Sequence, residues 1–156
     1  MRHAKTQASH PRGDHSRELL PAGVQDAQEA GLQLRPLDLE HALVSTATRA
    51  RQTFAALGLD IPVEYLDDLY YEGVDALIRH ISETDPAVNG LLVVGHAPTI
   101  PALASHLGNA SNSQEADRLQ CWYPTSTFTE FTFDDDWSSL VPFELGHVTM
   151  ERTIRR

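Results

Sequence analysis

Cysteine is nearly absent from this chain: Cys121 is the only one in 156 residues. No internal disulfide can form. The Cys-x5-Arg pattern of a cysteine-dependent phosphatase also fails, because the sixth residue after Cys121 is Thr127. Cys121 therefore reads as a buried or half-buried bystander. Basic residues are scarce too, 12 Lys and Arg against 22 Asp and Glu, which gives a formal charge of −10. Phosphate backbones select a basic face, so nucleic acid is excluded as a general partner. A small basic pocket inside an acidic body is not excluded. No apolar run approaches the roughly 20 residues that span a bilayer. Nor does an apolar stretch follow Arg2, His3 and Lys5 to make a secretory leader. No membrane association and a cytoplasmic location are the expectations.

What is present is an ordinary globular mixture, 41% hydrophobic and 22% charged, of a length that suits one domain over residues 1–156. Residues 7–19 are polar, with Pro11 and Gly13, and read as a loop. Pro21 can open a helix whose buried stripe would hold Val24, Ala27 and Gly31. "LEHALVST" (39–46) has strand character, and "TRARQTFAALG" after it reads as a helix with Ala50, Phe54 and Leu57 inward and Gly58 as its stop. "VEYL" (63–66) is a further strand. Val74, Leu77, Ile78 and Ile81 have the spacing of a helix over 73–83. "GLLVVGH" (90–96) is a continuous apolar run of the kind a parallel sheet buries on both faces. Pro98 and Thr99 start the next helix, with Ile100, Leu103 and Leu107 inward. Residues 108–120 read mainly as loop with room for a short helix, "STFTEFTF" (126–133) as a strand and "HVTMERT" as a final edge strand. Strands alternating with helices predict an α/β domain: a three-layer sandwich with a mostly parallel central sheet flanked by helices.

In such sheets ligands bind beyond the carboxyl ends of the strands, and this sequence puts unusual polar residues there. Arg2 and His3 come first. "STATRARQT" follows a strand and places Arg49 in a first helical turn. "VVGHAPTI" ends the strongest strand with His96 and opens a helix. Helix N-termini favour anions, and the planar fork of arginine matches phosphate oxygens. Taken singly, each residue has an ordinary reading: a structural histidine, a solvated arginine, a fraying terminus. Their joint placement points to a phosphate pocket.

The blocks "RHAKT", "STATRARQT" and "VVGHAPTI" resemble, in order, the three signature blocks of the histidine phosphatase superfamily, also called phosphoglycerate-mutase-like. Alanine then lysine after the histidine resembles the small SixA-type phosphohistidine phosphatases in particular. "DHSRELLPAG" resembles their Asp-His-x-Arg-x-Leu-x-x-x-Gly segment, and "YPTSTFTEFTFDDDW" their closing strand and Trp turn. The resemblance implies that His3 is the nucleophile that becomes phosphorylated, with Arg2, Arg49 and His96 clamping the phosphoryl oxygens. Thr6 and Ala97 are further substrate-binding positions on the same basis. A neutral imidazole needs no base to attack phosphorus, and the arginines supply the charge a magnesium ion would otherwise bring, so no metal and no cofactor are expected.

Two departures from the family pattern carry expectations. Larger members provide a carboxylic acid for an alcohol leaving group, and here "YLDDLYYEG" offers Asp67, Asp68 and Glu72 without a clear match. The lack of an assigned acid favours a phosphohistidine substrate on a protein. A phosphatase of small metabolites and an inactive phosphate-binding homologue are the alternatives. Family members also carry an apolar strand just before the Arg-His pair, where this sequence has only Met1. The first strand is therefore expected to be truncated, with the biological chain starting upstream.

Overall fold

The structure, a computed structural model, describes residues 1–140 and 147–155. Its centre is a parallel sheet in the order β2-β1-β3, built from β1 (His41–Ser45), β2 (Val63–Leu66) and β3 (Leu91–Val94). Val44 aligns with Tyr65 on one side and Val94 on the other. An antiparallel pair, β4 (Phe128–Thr132) with β5 (Thr149–Ile154), makes a second sheet.

Met1–His3 joins the two. Its backbone bonds to β3 through Met1 N to Val93 O (2.8 Å), Gly95 N to Met1 O (3.1 Å) and His3 N to Gly95 O (2.9 Å). On the other side Arg2 N donates to Thr127 O (2.9 Å) and Ser126 N to His3 O (3.1 Å). Met1–His3 thus completes a parallel ladder beside the end of β3. A groove of about 560 Å³ is lined by residues of both β3 and β4, with Leu34, Leu39, Leu92, Phe128, Phe131 and Trp137 among them.

Side chains alternate across a strand, and β1 shows how this makes three layers. Ala42 and Val44 enter one apolar cluster, with Ala27, Ala30, Leu34, Phe54 and Leu57 from α1 (Pro21–Leu34) and α2 (Thr48–Leu57). Leu43 enters the other, with Leu69 of α3 (Asp68–Tyr71), Leu77, Ile78 and Ile81 of α4 (Val74–Ser82), Ile100 and Leu103 of α5 (Thr99–Gly108), and Leu119 of α6 (Ser113–Cys121). The sandwich expected from the strand–helix alternation is the fold observed.

Two expectations about burial are corrected. Val24 is 37% exposed, and α1 buries Gly23, Ala27, Ala30, Gly31 and Leu34 instead. The reason is close backbone approach: a Cβ on Gly23 would strike the Lys5 carbonyl, and one on Gly31 the Leu57 carbonyl. These two glycines rotate the stripe away from Val24. Cys121 is exposed. The segment expected mainly as loop carries α6, with its first turn capped by the Asn112 carboxamide oxygen accepting from Glu115 N. Cys121 ends this helix, whose buried positions are Ala116 and Leu119.

Candidate active site

β1, β3 and the Met1–His3 stretch all end at the same pole, which brings Ser45, His96 and His3 together. His3 is 6% exposed. Its Nδ1 lies 2.8 Å from the Ala4 carbonyl oxygen. That oxygen can only accept, so Nδ1 carries the proton and Nε2 keeps a free lone pair. Arg49 Nε donates toward Nε2 at 3.3 Å. Burial, with Arg49, Arg2 and Arg17 nearby, pushes the imidazole pKa down to about 4. His3 is therefore neutral at physiological pH.

Arg49 stands in the first turn of α2 and is buried. Thr53, one turn on, accepts from Ala4 N (2.9 Å) and donates to the Arg49 carbonyl (2.7 Å), which ties the helix to the His3 segment. His96 follows β3, its ring centroid 5.1 Å from that of His3. Its Nε2 is 2.8 Å from Ser45 Oγ, and its buried Nδ1 has no partner among the described residues. Burial, then the charge of Arg49, lowers its pKa to about 3. Arg2 donates through Nη1 to the Tyr123 carbonyl at 2.8 Å, while its buried Nε is also unpartnered. Two cations and two neutral imidazoles thus converge, with donor positions directed at no protein acceptor. Such a constellation suits a tetrahedral oxyanion bound against His3.

The other candidates lie around this centre. The Thr6 hydroxyl donates to the Glu18 carbonyl at 2.6 Å, within the loop rather than toward a ligand. Ala97 is exposed directly after His96. Asp68 pairs with Arg79 (2.9 Å) and His80 (2.8 Å) on its own side of the sheet. Asp67 accepts from Thr46 Oγ1 at 2.6 Å, and Thr46 Oγ1 is 3.1 Å from His15 Nε2. Glu72 is exposed at the end of α3.

Asp14 and Arg17 fall in the quoted "DHSRELLPAG" segment with no role assigned to them, and Tyr70 was not singled out. Asp14 lies on a 3-10 turn in the 7–19 loop and takes Arg49 Nη2 (3.0 Å), Arg17 Nη1 (2.8 Å) and the Tyr70 hydroxyl (2.8 Å) on its carboxylate. Arg17 first, then Tyr70 and Arg49, hold that carboxyl well below the usual carboxylate range. Burial and Asp14 push the Tyr70 phenol up. The available signal was the "DHSRELLPAG" segment, which holds two of the three.

The chain belongs to the histidine phosphatase superfamily. The model of the Histidine phosphatase superfamily (branch 1) matches residues 1–70, which include Arg2, His3, Asp14 and Arg49. Within that class it is similar along nearly its whole length to a candidate phosphohistidine phosphatase SixA from Nakamurella multipartitia. The two are 32% identical with a TM-score of 0.88, over 99% of this chain and 92% of that one. An uncharacterized protein of Mycobacterium leprae is 39% identical over 149 residues, 90% of this chain and 91% of the relative. The protein histidine phosphatase SixA complexed with tungstate shares the fold at 23% identity and a TM-score of 0.77, over 99% of this chain and 93% of that one. No helix among the described residues is long and apolar enough to cross a membrane.

Proposed function

We propose that this chain hydrolyses phosphohistidine on a protein, through a phosphoryl group carried covalently on His3 Nε2. The observation that carries this reading is the His3 tautomer. With Nδ1–H held on the Ala4 carbonyl, Nε2 presents its lone pair beside Arg49. In the first step the His3 Nε2–P bond forms as the P–N bond of the substrate breaks, and the departing imidazole, already protonated on its other nitrogen, leaves neutral. Water then attacks the same phosphorus, the Nε2–P bond breaks, and inorganic phosphate departs with the oxygen of that water.

Arg49 and Arg2 offset the charge of the equatorial oxygens, and positioned donors of this kind do most of the work in phosphoryl transfer. Ser45 Oγ already accepts from Ala47 N (3.3 Å), so its own proton is available to His96 Nε2. That leaves His96 Nδ1 as an N–H donor for a phosphoryl oxygen. Charge supplied by arginines needs no metal, and activity in EDTA is expected to be undiminished. The substrate class is supported by the engagement of Asp67 with Thr46 and of Asp68 with Arg79 and His80. An imidazole leaving group asks less of an acid than an alcohol does. The name carried by the Nakamurella relative supports the same class.

The test compares a protein phosphorylated on histidine with a panel of sugar, nucleotide and aryl phosphates. Rapid turnover of phosphohistidine, a steep dependence of ester rates on leaving-group pKa, an acid-labile label on His3 and complete loss in His3→Ala are expected. Sugar phosphates hydrolysed faster than phosphohistidine would favour a metabolite phosphatase, and full activity in His3→Ala would end the mechanism.

A further inference from the structure

A guanidinium has five N–H groups in a fixed plane, and Arg49 directs three of them. Nε points to His3 Nε2 at 3.3 Å, Nη1 donates to the Asp14 carbonyl oxygen at 2.8 Å, and Nη2 donates to Asp14 Oδ2 at 3.0 Å. The edge away from the nucleophile is thus held by one residue twice, through backbone and side chain. The same Oδ2 accepts the Tyr70 hydroxyl at 2.8 Å. The Tyr70 ring lies 5.7 Å from the Arg49 guanidinium carbon and 5.5 Å, edge to face, from the His96 ring. Asp14 Oδ1 takes Arg17 Nη1, and Arg17 Nε is anchored on the Gln7 carbonyl at 2.7 Å.

We infer that Asp14 is the positioning residue of this site: it fixes Arg49 with its inner N–H groups on His3 and on the phosphoryl group that His3 receives. The inference rests on the proposed phosphoryl transfer at His3. Arginine has a large rotamer freedom to lose, and a clamp that removes it before substrate arrives turns a mobile cation into a preorganised one. Asp14 also sets one negative charge against Arg49 and Arg17. Its loss has two effects of opposite sign. Arg49 becomes less well placed in the transition state, which lowers kcat. The pocket becomes more positive toward a phosphoryl dianion, which does not raise KM and can lower it. A residue that merely stabilised the loop would leave kcat of the folded enzyme unchanged, or raise KM as the pocket loosened.

The experiment is a double-mutant cycle on the whole chain, with N-phosphohistidine as substrate. Asp14→Ala is expected to lower kcat about 10- to 100-fold with KM unchanged or reduced, as loss of preorganisation at one donor predicts. Asp14→Asn, which keeps one acceptor oxygen for Nη2, should lose less. Combined with Arg49→Ala, the Asp14→Ala change should lower kcat by less than about twofold more, because its positioning role runs through Arg49 and nothing is left to position. Losses that multiply in the double variant, or a raised KM with kcat intact, would overturn the inference while leaving the covalent mechanism standing. A wild-type chain that never labels His3 would overturn both.

Discussion

Two parts of the molecule solve opposite problems. At the pole where β1 and β3 end, Met1–His3 is hydrogen-bonded on both sides, and His3, Arg49, His96 and Ser45 are all buried in a polar network. The rest of the sheet packs against its helices through apolar side chains, among them Leu34, Phe54 and Leu57 on one face and Leu77, Ile81 and Leu103 on the other. Hydrogen bonds are directional, so the first arrangement fixes atoms in place. Apolar burial is not directional, and the second arrangement contributes stability with little demand on orientation. Catalytic placement and fold stability therefore reside largely in different residues, and substitutions should separate them.

Phe128→Ala should give the largest shift. Phe128 is 2% exposed and belongs to the cluster between the sheet and α1 and α2. Truncating a buried Phe typically costs about 3–5 kcal/mol, read as a fall in the urea midpoint. The kcat of the protein that remains folded should stay within about twofold, since no hydrogen bond of the site passes through this ring. Arg49→Ala should do the reverse. Loss of one preorganised donor costs roughly 3 kcal/mol of transition-state stabilisation, about a hundredfold or more in kcat. The urea midpoint should move much less than in Phe128→Ala, because Asp14 then faces solvent. If Phe128→Ala were equally poor in kcat, or Arg49→Ala equally unstable, the two parts would not be separable.

Much of this division was legible in the sequence, because periodicity and strand ends are local. The run "LLVV" before Gly95–His96 and the placement of Arg49 one turn into α2 are enough to set both residues at one pole. What could not be read is anything decided by a neighbour distant in the chain. Val24 has the spacing of a buried residue, yet the approach of Gly23 and Gly31 to the backbones of Lys5 and Leu57 turns α1 away from it. Cys121 is hydrophobic by type and exposed because it closes a surface helix. Asp14 and Tyr70 are 56 positions apart, and only the folding of the 7–19 loop over α3 lets their side chains meet. Asp67 and Asp68, adjacent in sequence and alike as acid candidates, end with different partners, Thr46 for one and Arg79 with His80 for the other.

A pH series should sharpen the same comparison, with the smallest effect at any one step. His3 and His96 are held neutral by burial, with pKa values lowered from 6.5 to about 4 and about 3. Below pH 6.5 the unfolded chain takes up protons on both residues while the folded chain does not. The unfolded state then binds more protons, so stability falls as pH falls. Their contribution is complete above pH 6.5 and is lost progressively as pH drops toward about 4 for His3 and about 3 for His96. Each group can supply up to about 1.4 kcal/mol per pH unit within its window. Urea midpoints measured from pH 7 to pH 5 should decline accordingly, and His96→Asn should remove its share of that decline. Over the same range the nucleophile does not change its protonation state in the folded protein. Once corrected for ionisation of the substrate, kcat/KM should therefore stay level from pH 7 to pH 5 and fall only near pH 4. A tenfold loss of kcat/KM per unit beginning at pH 6.5, with the protein still folded, would mean that His3 titrates as an exposed histidine does and that its burial sets nothing.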